Sequence, residues 1–320
     1  MRAADSYEAL TSGAALFDLG AWGRLRFAGP DARSYLNGLL TNDVARLPAR
    51  RGFPVCLLTP KGRAQAEFLL YDCDGPLLAL ARPEAAGNVR TGLGKMIMLS
   101  ETKMEDLAGT TSLLLLAGPR APQVLATVFG AAPPRDWAWS TLGFAGAQVE
   151  LCSYPRFQQD AVLIVPPAGG AAALSAALQA AGARPGDDET LETWRVERGI
   201  PAFGRELDGE TIPLEARLEE AISYTKGCYM GQETISRIHH LGHVNRILAA
   251  LKLAGGAPPA AGAEVTQDGW SVGKVTSACV SPKLKGPLAL AMVKVDAAKP
   301  GARLKVADVE ADVVDLGVWG

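Results

Sequence analysis

The feature that most narrows the fold is a short internal echo. The strand-like run Trp22-Gly23-Arg24-Leu25-Arg26-Phe27 ends in Ala28-Gly29-Pro30 and leads into Asp31-Ala32-Arg33-Ser34-Tyr35-Leu36-Asn37-Gly38-Leu39-Leu40. Later, Leu113-Leu114-Leu115-Leu116 ends in Ala117-Gly118-Pro119 and leads into Arg120-Ala121-Pro122-Gln123-Val124-Leu125-Ala126-Thr127-Val128-Phe129-Gly130. Leu36, Leu39 and Leu40 fall at helical spacing, as do Val124, Leu125, Val128 and Phe129. Proline suits the first turn of each helix, where its missing N–H has no partner inside the helix anyway. Gly130 is a natural stop. Strands are expected next over 53–59, 66–71 and 77–81, then a helix over 84–96. After the second unit come strands over 144–151 and 161–165 and an alanine-rich helix over 171–181. Strand, helix, strands, helix, twice over, predicts two ferredoxin-like α+β units. Gly-Pro before a helix is common in any fold, so coincidence stays open as the alternative.

Helices are expected near 189–198 and 215–222. After Asn245 the texture changes: Ala254-Gly255-Gly256-Ala257-Pro258-Pro259-Ala260-Ala261-Gly262 is a turn-rich break. Asp268-Gly269 is a hairpin signal between strand-like runs over 263–267 and 270–276. Five or six short strands without a helix-length stretch predict a small antiparallel barrel. The expected fold class is therefore α+β, two ferredoxin-like α+β units plus a C-terminal small antiparallel β-barrel. The expected division is 1–245, holding pseudo-repeats of about 1–110 and 111–245 that interleave, and 246–320 for the barrel. A length of 320 residues accommodates two or three domains.

Charge narrows the partners. With 32 basic and 34 acidic side chains the formal net charge is −2, not the basic excess of a chain built to hold nucleic acid. No strong direct nucleic-acid binding is expected. The longest leucine run, Leu113-Leu114-Leu115-Leu116, is far short of the ~20 apolar residues that cross a bilayer. No membrane partner is expected, and the amino terminus lacks the apolar stretch of a secretory signal. A cytoplasmic location is the expectation. The five cysteines (Cys56, Cys73, Cys152, Cys228, Cys279) are scattered without a C-x-x-C pair, which argues against a disulfide framework or an all-cysteine metal site.

The densest cluster of unusual residues is Lys226-Gly227-Cys228-Tyr229-Met230-Gly231-Gln232-Glu233. Two glycines around a Cys-Tyr pair read as a shaped loop that presents its side chains. This octapeptide resembles, position for position, the signature of the YgfZ family, a branch of the glycine-cleavage T-protein superfamily. Other blocks resemble the superfamily too: Leu16-Phe17-Asp18, Gly29-Pro30-Asp31 and Leu40-Thr41-Asn42-Asp43 at the amino end, Arg195-Val196-Glu197-Arg198-Gly199, Gly204-Arg205-Glu206-Leu207 and Ile212-Pro213-Leu214-Glu215 in the centre, and Gly273-Lys274-Val275-Thr276-Ser277 with Ser281-Pro282 near the end. The resemblance implies two ferredoxin-like units and a barrel around a folate-sized channel.

It also implies a set of site residues. Glu197, in the R-x-E-x-G block, would accept the neighbouring N–H donors of a pterin edge, a charge-assisted arrangement. Read without the family, a glutamate between Arg195 and Arg198 is an ordinary ion-pair partner. Trp22 would stack beside the folate, or serve as a core aromatic. Leu78 and Leu80 would line the pterin slot, or belong to an ordinary core. Cys228 is the expected functional thiol, a nucleophile or metal ligand, with a buried structural cysteine as the alternative. Lys226 and Glu233 would serve that loop or hold it together as an ion pair. Gln232 would anchor its backbone, and Tyr229 would be a channel wall or core. His239, His240 and His243 invite a metal reading, but Gly242 and the strand to come make a helical H-x-x-x-H pair a poor fit, and no metal site is assigned.

One departure matters. Glycine-cleavage aminomethyltransferases carry two successive aspartates where this chain has Ala66 and Glu67. Alanine can neither move a proton nor stabilise developing charge. Glu67 would restore that role only from the channel-facing side of its strand, because neighbours on a strand point to opposite faces. The resemblance thus implies a protein that binds tetrahydrofolate or a derivative and supports iron–sulfur enzymes as clients, plausible clients being those that modify tRNA. An iron–sulfur cluster would be at most transient on it. The alternatives are a tetrahydrofolate-dependent aminomethyltransferase and a folate-free scaffold.

Overall fold

The computed structural model describes residues 3–316. In chain order the elements are α1 Ala3–Ser12, β1 Ala15–Asp18, β2 Gly23–Ala28, α2 Ala32–Leu39, β3 Gly52–Leu58, β4 Ala64–Asp72, β5 Leu77–Ala81, α3 Pro83–Gly94, β6 Lys103–Asp106, β7 Leu114–Ala117, α4 Ala121–Phe129, β8 Trp139–Phe144, β9 Ala147–Ser153, β10 Val162–Val165, α5 Ala171–Ala180 and β11 Arg184–Pro185. Then follow α6 Asp188–Glu197, α7 Gln232–Leu241, and β12 Arg246–Leu253, β13 Glu264–Gln267, β14 Trp270–Ser281, β15 Gly286–Lys294, β16 Arg303–Val306 and β17 Val309–Val314. They form two compact units. One holds the described residues up to Val55 together with 68–191, and the other holds 56–67 together with the chain from 192 onward.

The echo has a structural basis. The first sheet runs β3-β4-β5-β2-β6, and the second β11-β1-β7-β10-β9-β8. Laid side by side, β2, β3, β4 and β5 take the places of β7, β8, β9 and β10. Gly29 and Gly118, the two corner glycines, share the same φ of +118°. A Cβ at Gly29 would lie 2.1 Å from the Glu101 carbonyl oxygen, and one at Gly118 would lie 2.5 Å from that of Gly13. Only glycine tolerates both the backbone angle and the approach. The halves differ at one edge: β1 slips between β7 and β11, pairing antiparallel with the first and parallel with the second. The core of the second repeat packs Val124, Leu125, Leu174 and Leu178 of α4 and α5 onto Leu114, Leu116, Val149 and Leu151.

Two expectations are corrected. The single strand over 144–151 is a hairpin, with β8 and β9 joined at Ala145 and Gly146, both at positive φ. That is the backbone of a two-residue hairpin turn, and its usual Asn-Gly or Asp-Gly signal is absent. The helix near 215–222 is two single 3₁₀ turns, Pro213–Ala216 and Glu219–Ala221, interrupted where Arg217 takes φ 57°.

The last six strands close into a barrel in the order β12-β15-β14-β13-β16-β17. Ala249, Leu251, Val275, Ala291 and Val293 alternate into its interior. Leu248, Ala250, Leu288 and Leu290 alternate outward and cover Val196 of α6. This packing fixes α6 against the barrel wall.

Candidate functional site

α6 is tied to the barrel by charge as well as packing. Arg195 and Glu206 are each 1% exposed. Arg195 donates through Nη1 to Glu206 Oε2 at 2.8 Å and to the Ile200 carbonyl at 2.6 Å, and through Nη2 to Ser277 Oγ at 2.6 Å. Its Nε and Nη2 also reach Glu192 at 2.8 and 2.7 Å. Burial alone would lower the guanidinium pKa, but Glu192 and Glu206 carry it well above its ordinary value. Thr276 and Ser277 both donate to Glu206 Oε1, at 2.9 and 2.5 Å. Consecutive strand residues can do so because the β14–β15 register shifts between Val275 and Ser277. Such a bulge re-aims a side chain.

Glu197, 2% exposed, leaves the arginines and turns to the end of β14. Ser281 Oγ donates to its Oε1, and the Lys283 N–H donates to the same oxygen at 3.2 Å. Cys279 lies near this carboxylate, and burial first, then Glu197, pushes its thiol up to about 12. Arg198 follows at the helix end, its amide on the Trp194 carbonyl at 3.0 Å. Its guanidinium pKa is lowered by burial, and Nε is buried without an acceptor among the described residues.

The Lys226–Glu233 segment docks on the β3–β4 hairpin through glycine. Gly231 has φ +81°, and a Cβ there would meet the Thr59 carbonyl oxygen at 2.5 Å and Gly62 Cα at 3.0 Å. Thr234 Oγ1 donates to the Lys61 carbonyl at 3.1 Å. Gln232 and Tyr229 bond reciprocally: the Tyr229 N–H donates to Gln232 Oε1 at 3.3 Å, and the Gln232 N–H to the Tyr229 carbonyl at 3.2 Å. Tyr229 packs in a core with Cys56, Leu58, Ala64 and Ile235, and burial pushes its phenol up. The buried Lys226 holds its ammonium 5.0 Å from that ring's centroid, a cation–π contact. Glu233 stands exposed in the first turn of α7. Cys228 is exposed, while the other four cysteines are buried. The loop's apolar member thus anchors it and its thiol is presented outward. Gly231→Ala should cost about 2–4 kcal/mol, from left-handed strain plus a backbone clash, read as a lowered urea midpoint; an unchanged midpoint would show that the hairpin gives way freely.

α7 ends at Leu241, so His243 lies beyond it. His239 stacks on Tyr224 with centroids 3.8 Å apart, and His240 Nδ1 sits 2.9 Å from the Ser236 carbonyl. Among the described residues no group of three or more His, Cys, Asp or Glu is arranged to hold a metal ion. No helix among them is long and apolar enough to cross a membrane.

In the first unit, Trp22 is buried, with the Arg82 guanidinium 5.1 Å from its ring centroid. It lines a cavity of about 210 Å³ with Gly23, Ala79, Ala81, Ala86 and Arg90. Leu78 and Leu80 alternate to the other face of β5 and are fully buried. Trp22 in its cavity and the two leucines therefore face different surroundings. Tyr71 and Leu69 of β4 pair with Leu78 and Leu80 and share their face. Glu67, 7% exposed, alternates with Leu69 and Tyr71. Ala66 alternates instead with Ala64, which belongs to the Tyr229 core. Of the two positions, the one that kept a carboxylate is the one on the Leu78–Leu80 face.

Two families match this chain: the GCVT N-terminal domain over residues 2–226, and the glycine cleavage T-protein C-terminal barrel domain over 246–316. The chain belongs to the glycine cleavage T-protein family. Among the T-protein relatives, an aminomethyltransferase of Saccharopolyspora erythraea is 28% identical over 98% of this chain and 88% of its own length. A chloroplastic protein of Arabidopsis thaliana, provisionally named a transferase, is 29% identical over 95% of this chain and 71% of its own. The crystal structure of the glycine cleavage system aminomethyltransferase T from Bartonella henselae shares the fold, with a TM-score of 0.88 at 23% identity, covering 98% of this chain and 88% of that one.

Several site-building residues of this T-protein family member escape a reading by motif. Glu206, Ser277 and Ser281 stand in the sequence only as members of the blocks that resemble the superfamily, and nothing in the sequence announces that they converge on α6. Arg198 carries no signal beyond its place after Glu197.

Proposed function

We propose that this chain binds a tetrahydrofolate and transfers a one-carbon unit of the aminomethyl class. The observation that carries the reading is that two carboxylates of the second compact unit, Glu197 and Glu67, are each buried. A buried acid is costly unless it has donors to accept from. Glu197 is held in place by Ser281 and Lys283 and suits the paired N–H donors of a pterin edge. Bound tetrahydrofolate would supply the nitrogens that take up the carbon. Two C–N bonds form to the folate nitrogens as the carbon's bonds to the donor's carrier atom and to its amino group break. The two folate N–H protons end on those two leaving groups, with Glu67 relaying a proton and its charge favouring the cationic carbon between the two steps. Relatives named aminomethyltransferase that span nearly the whole chain support the same reading.

The test is calorimetry with tetrahydrofolate, followed by an assay for methylene-tetrahydrofolate from an aminomethyl donor. Wild type should bind, and Glu197→Gln should bind about 10–100-fold more weakly, the worth of a charge-assisted hydrogen bond. No heat and no thermal shift with wild type would leave the folate-free scaffold.

A second reading is favoured by one observation, the exposed Cys228 on a glycine-shaped loop. It keeps the folate but makes the protein a YgfZ-type accessory of iron–sulfur enzymes in the cytoplasm, including tRNA-modifying ones, with the thiol meeting the client. In a cell lacking its own copy, Cys228→Ala should then fail to restore iron–sulfur enzyme activities; full restoration removes the thiol from any such role.

A further inference from the structure

The first compact unit holds a cavity that neither functional reading uses. It is the space of about 210 Å³ lined by Trp22, and the carboxylates Glu197 and Glu67 belong to the other unit. Its floor is apolar and buried, made by Leu25, Ala79, Ala81 and Val89. Leu78 and Leu80 alternate to the opposite face of β5, so the cavity lies on the other side of that sheet from the slot those leucines would line.

Two observations mark this space as a binding site rather than a packing gap. The first is Gly87, an exposed residue of α3 that lines the cavity. Glycine inside a helix costs stability relative to alanine, and neither backbone nor packing asks for it here. Its φ is not positive, and a Cβ would meet nothing within 4 Å. Gly23 is the contrast: a Cβ there would lie 2.7 Å from the Ala86 Cβ, so that glycine serves the packing of α3 on β2. What glycine at position 87 does is keep the opening clear. The second observation is charge at the mouth. Arg90 of α3 and Asp106 of β6 both line the cavity and are both exposed, with Nη1 and Oδ2 3.5 Å apart. A tight charge-assisted pair closes to about 2.7–2.9 Å, so each partner keeps capacity for another group. Asp106 Oδ1 accepts the Ala108 N–H at 3.0 Å, which fixes the carboxylate in place.

We infer that this cavity binds a free α-amino acid with an aromatic side chain, the ring packing beside Trp22 and the zwitterionic head resting on Arg90 and Asp106. Size sets the side chain. A dry apolar cavity of about 150 Å³ accepts a benzene ring, so this one takes a ring together with its methylene link. Charge sets the head. The ammonium and carboxylate of an α-amino acid share one carbon, so two opposite charges arrive side by side, as Asp106 and Arg90 stand. The ammonium goes to Asp106 and the carboxylate to Arg90. A residue inside a peptide chain would bring neutral amides and leave both charges unused, and a simple acid or amine would engage one of them. Among the described residues no serine, cysteine, histidine or lysine lines the cavity, so it holds the amino acid without reacting with it. The site is independent of the folate reading and stands whether or not folate binds.

The experiment is calorimetry on the full chain with L-phenylalanine, glycine and N-acetyl-L-phenylalanine amide. L-Phenylalanine should bind with a Kd of about 1 mM or below, ordinary for a ligand of this size. Glycine, which lacks the ring, should bind about 10–100-fold more weakly. The neutral amide, which lacks both charges, should lose about 10-fold. Gly87→Leu should weaken L-phenylalanine at least about 10-fold while its urea midpoint holds or rises, because leucine favours the helix that glycine disfavours. Arg90→Gln, a change at an exposed side chain, should remove the preference for L-phenylalanine over the neutral amide and leave the urea midpoint where it was. No heat from L-phenylalanine at about 10 mM overturns the site. Equal binding of the neutral amide overturns the zwitterion assignment, and competition between L-phenylalanine and tetrahydrofolate overturns the separation of the two sites.

Discussion

Arg195→Ala is expected to lower stability by about 3–5 kcal/mol, the cost of leaving a buried charge without its partner. The argument is local. Arg195 and Glu206 are almost wholly enclosed, and Glu206 accepts from Arg195, Ser277, Thr276 and the Ala202 N–H. Removing the guanidinium leaves the buried Glu206 charge without its counter-ion and frees Ser277 from one of its two partners. Arg195→Lys should recover only part of the loss, because one ammonium cannot reach Glu192, Glu206 and Ser277 in the fork geometry of arginine. The measurement is urea unfolding at neutral pH. A loss under about 1 kcal/mol would mean that water or a rearranged Glu192 replaces the clamp.

This clamp shows what the sequence could reveal and what it could not. The fold was legible because it rests on local rules: the Ala-Gly-Pro corners, the helical spacing of Leu36 and Leu40 or Val124 and Val128, and Asp268-Gly269 between two strands all appear where expected. The failures lie where local signals were silent or long-range pairing decided. Ala145-Gly146 turns a hairpin without the usual turn residues, and β1 joins the second sheet by pairing with β7, about a hundred residues away, and β11, about 170 away. The stretch 215–222 has helical composition, but Arg217 adopts a left-handed angle that ends the first turn at Ala216.

The site was legible by type and not by arrangement. Glu197 was singled out as a carboxylate, and its hold on Ser281 requires β14 to arrive from more than eighty residues downstream. The Lys226–Glu233 segment reads as a shaped loop in the sequence, and in the structure its last two residues open α7. Its conformation depends on the Gly62–Gly231 approach, which no short window contains. Trp22 and Leu78 with Leu80 are separate expectations in the sequence, and strand alternation sends Leu78 and Leu80 away from the face on which Ala79 and Ala81 line the Trp22 cavity. That alternation is the rule that also gives Glu67 its weight.

Glu67→Gln should reduce one-carbon transfer by about 10²–10⁴-fold, the range for a group that moves a proton in the rate-limiting step, while leaving tetrahydrofolate affinity within a few-fold. Glutamine matches the shape of glutamate and so preserves β4, but it cannot take a proton or oppose a developing positive charge. Glu67→Asp should retain part of the activity, since the carboxylate remains on the same strand face one methylene shorter. Ala66→Asp is the contrasting change: Ala66 is fully buried on the face shared with Ala64, so an acid there meets packing and should destabilise without raising turnover. Full turnover in Glu67→Gln would remove this carboxylate from the chemistry, and a gain in turnover from Ala66→Asp would move the reacting face to the other side of the strand.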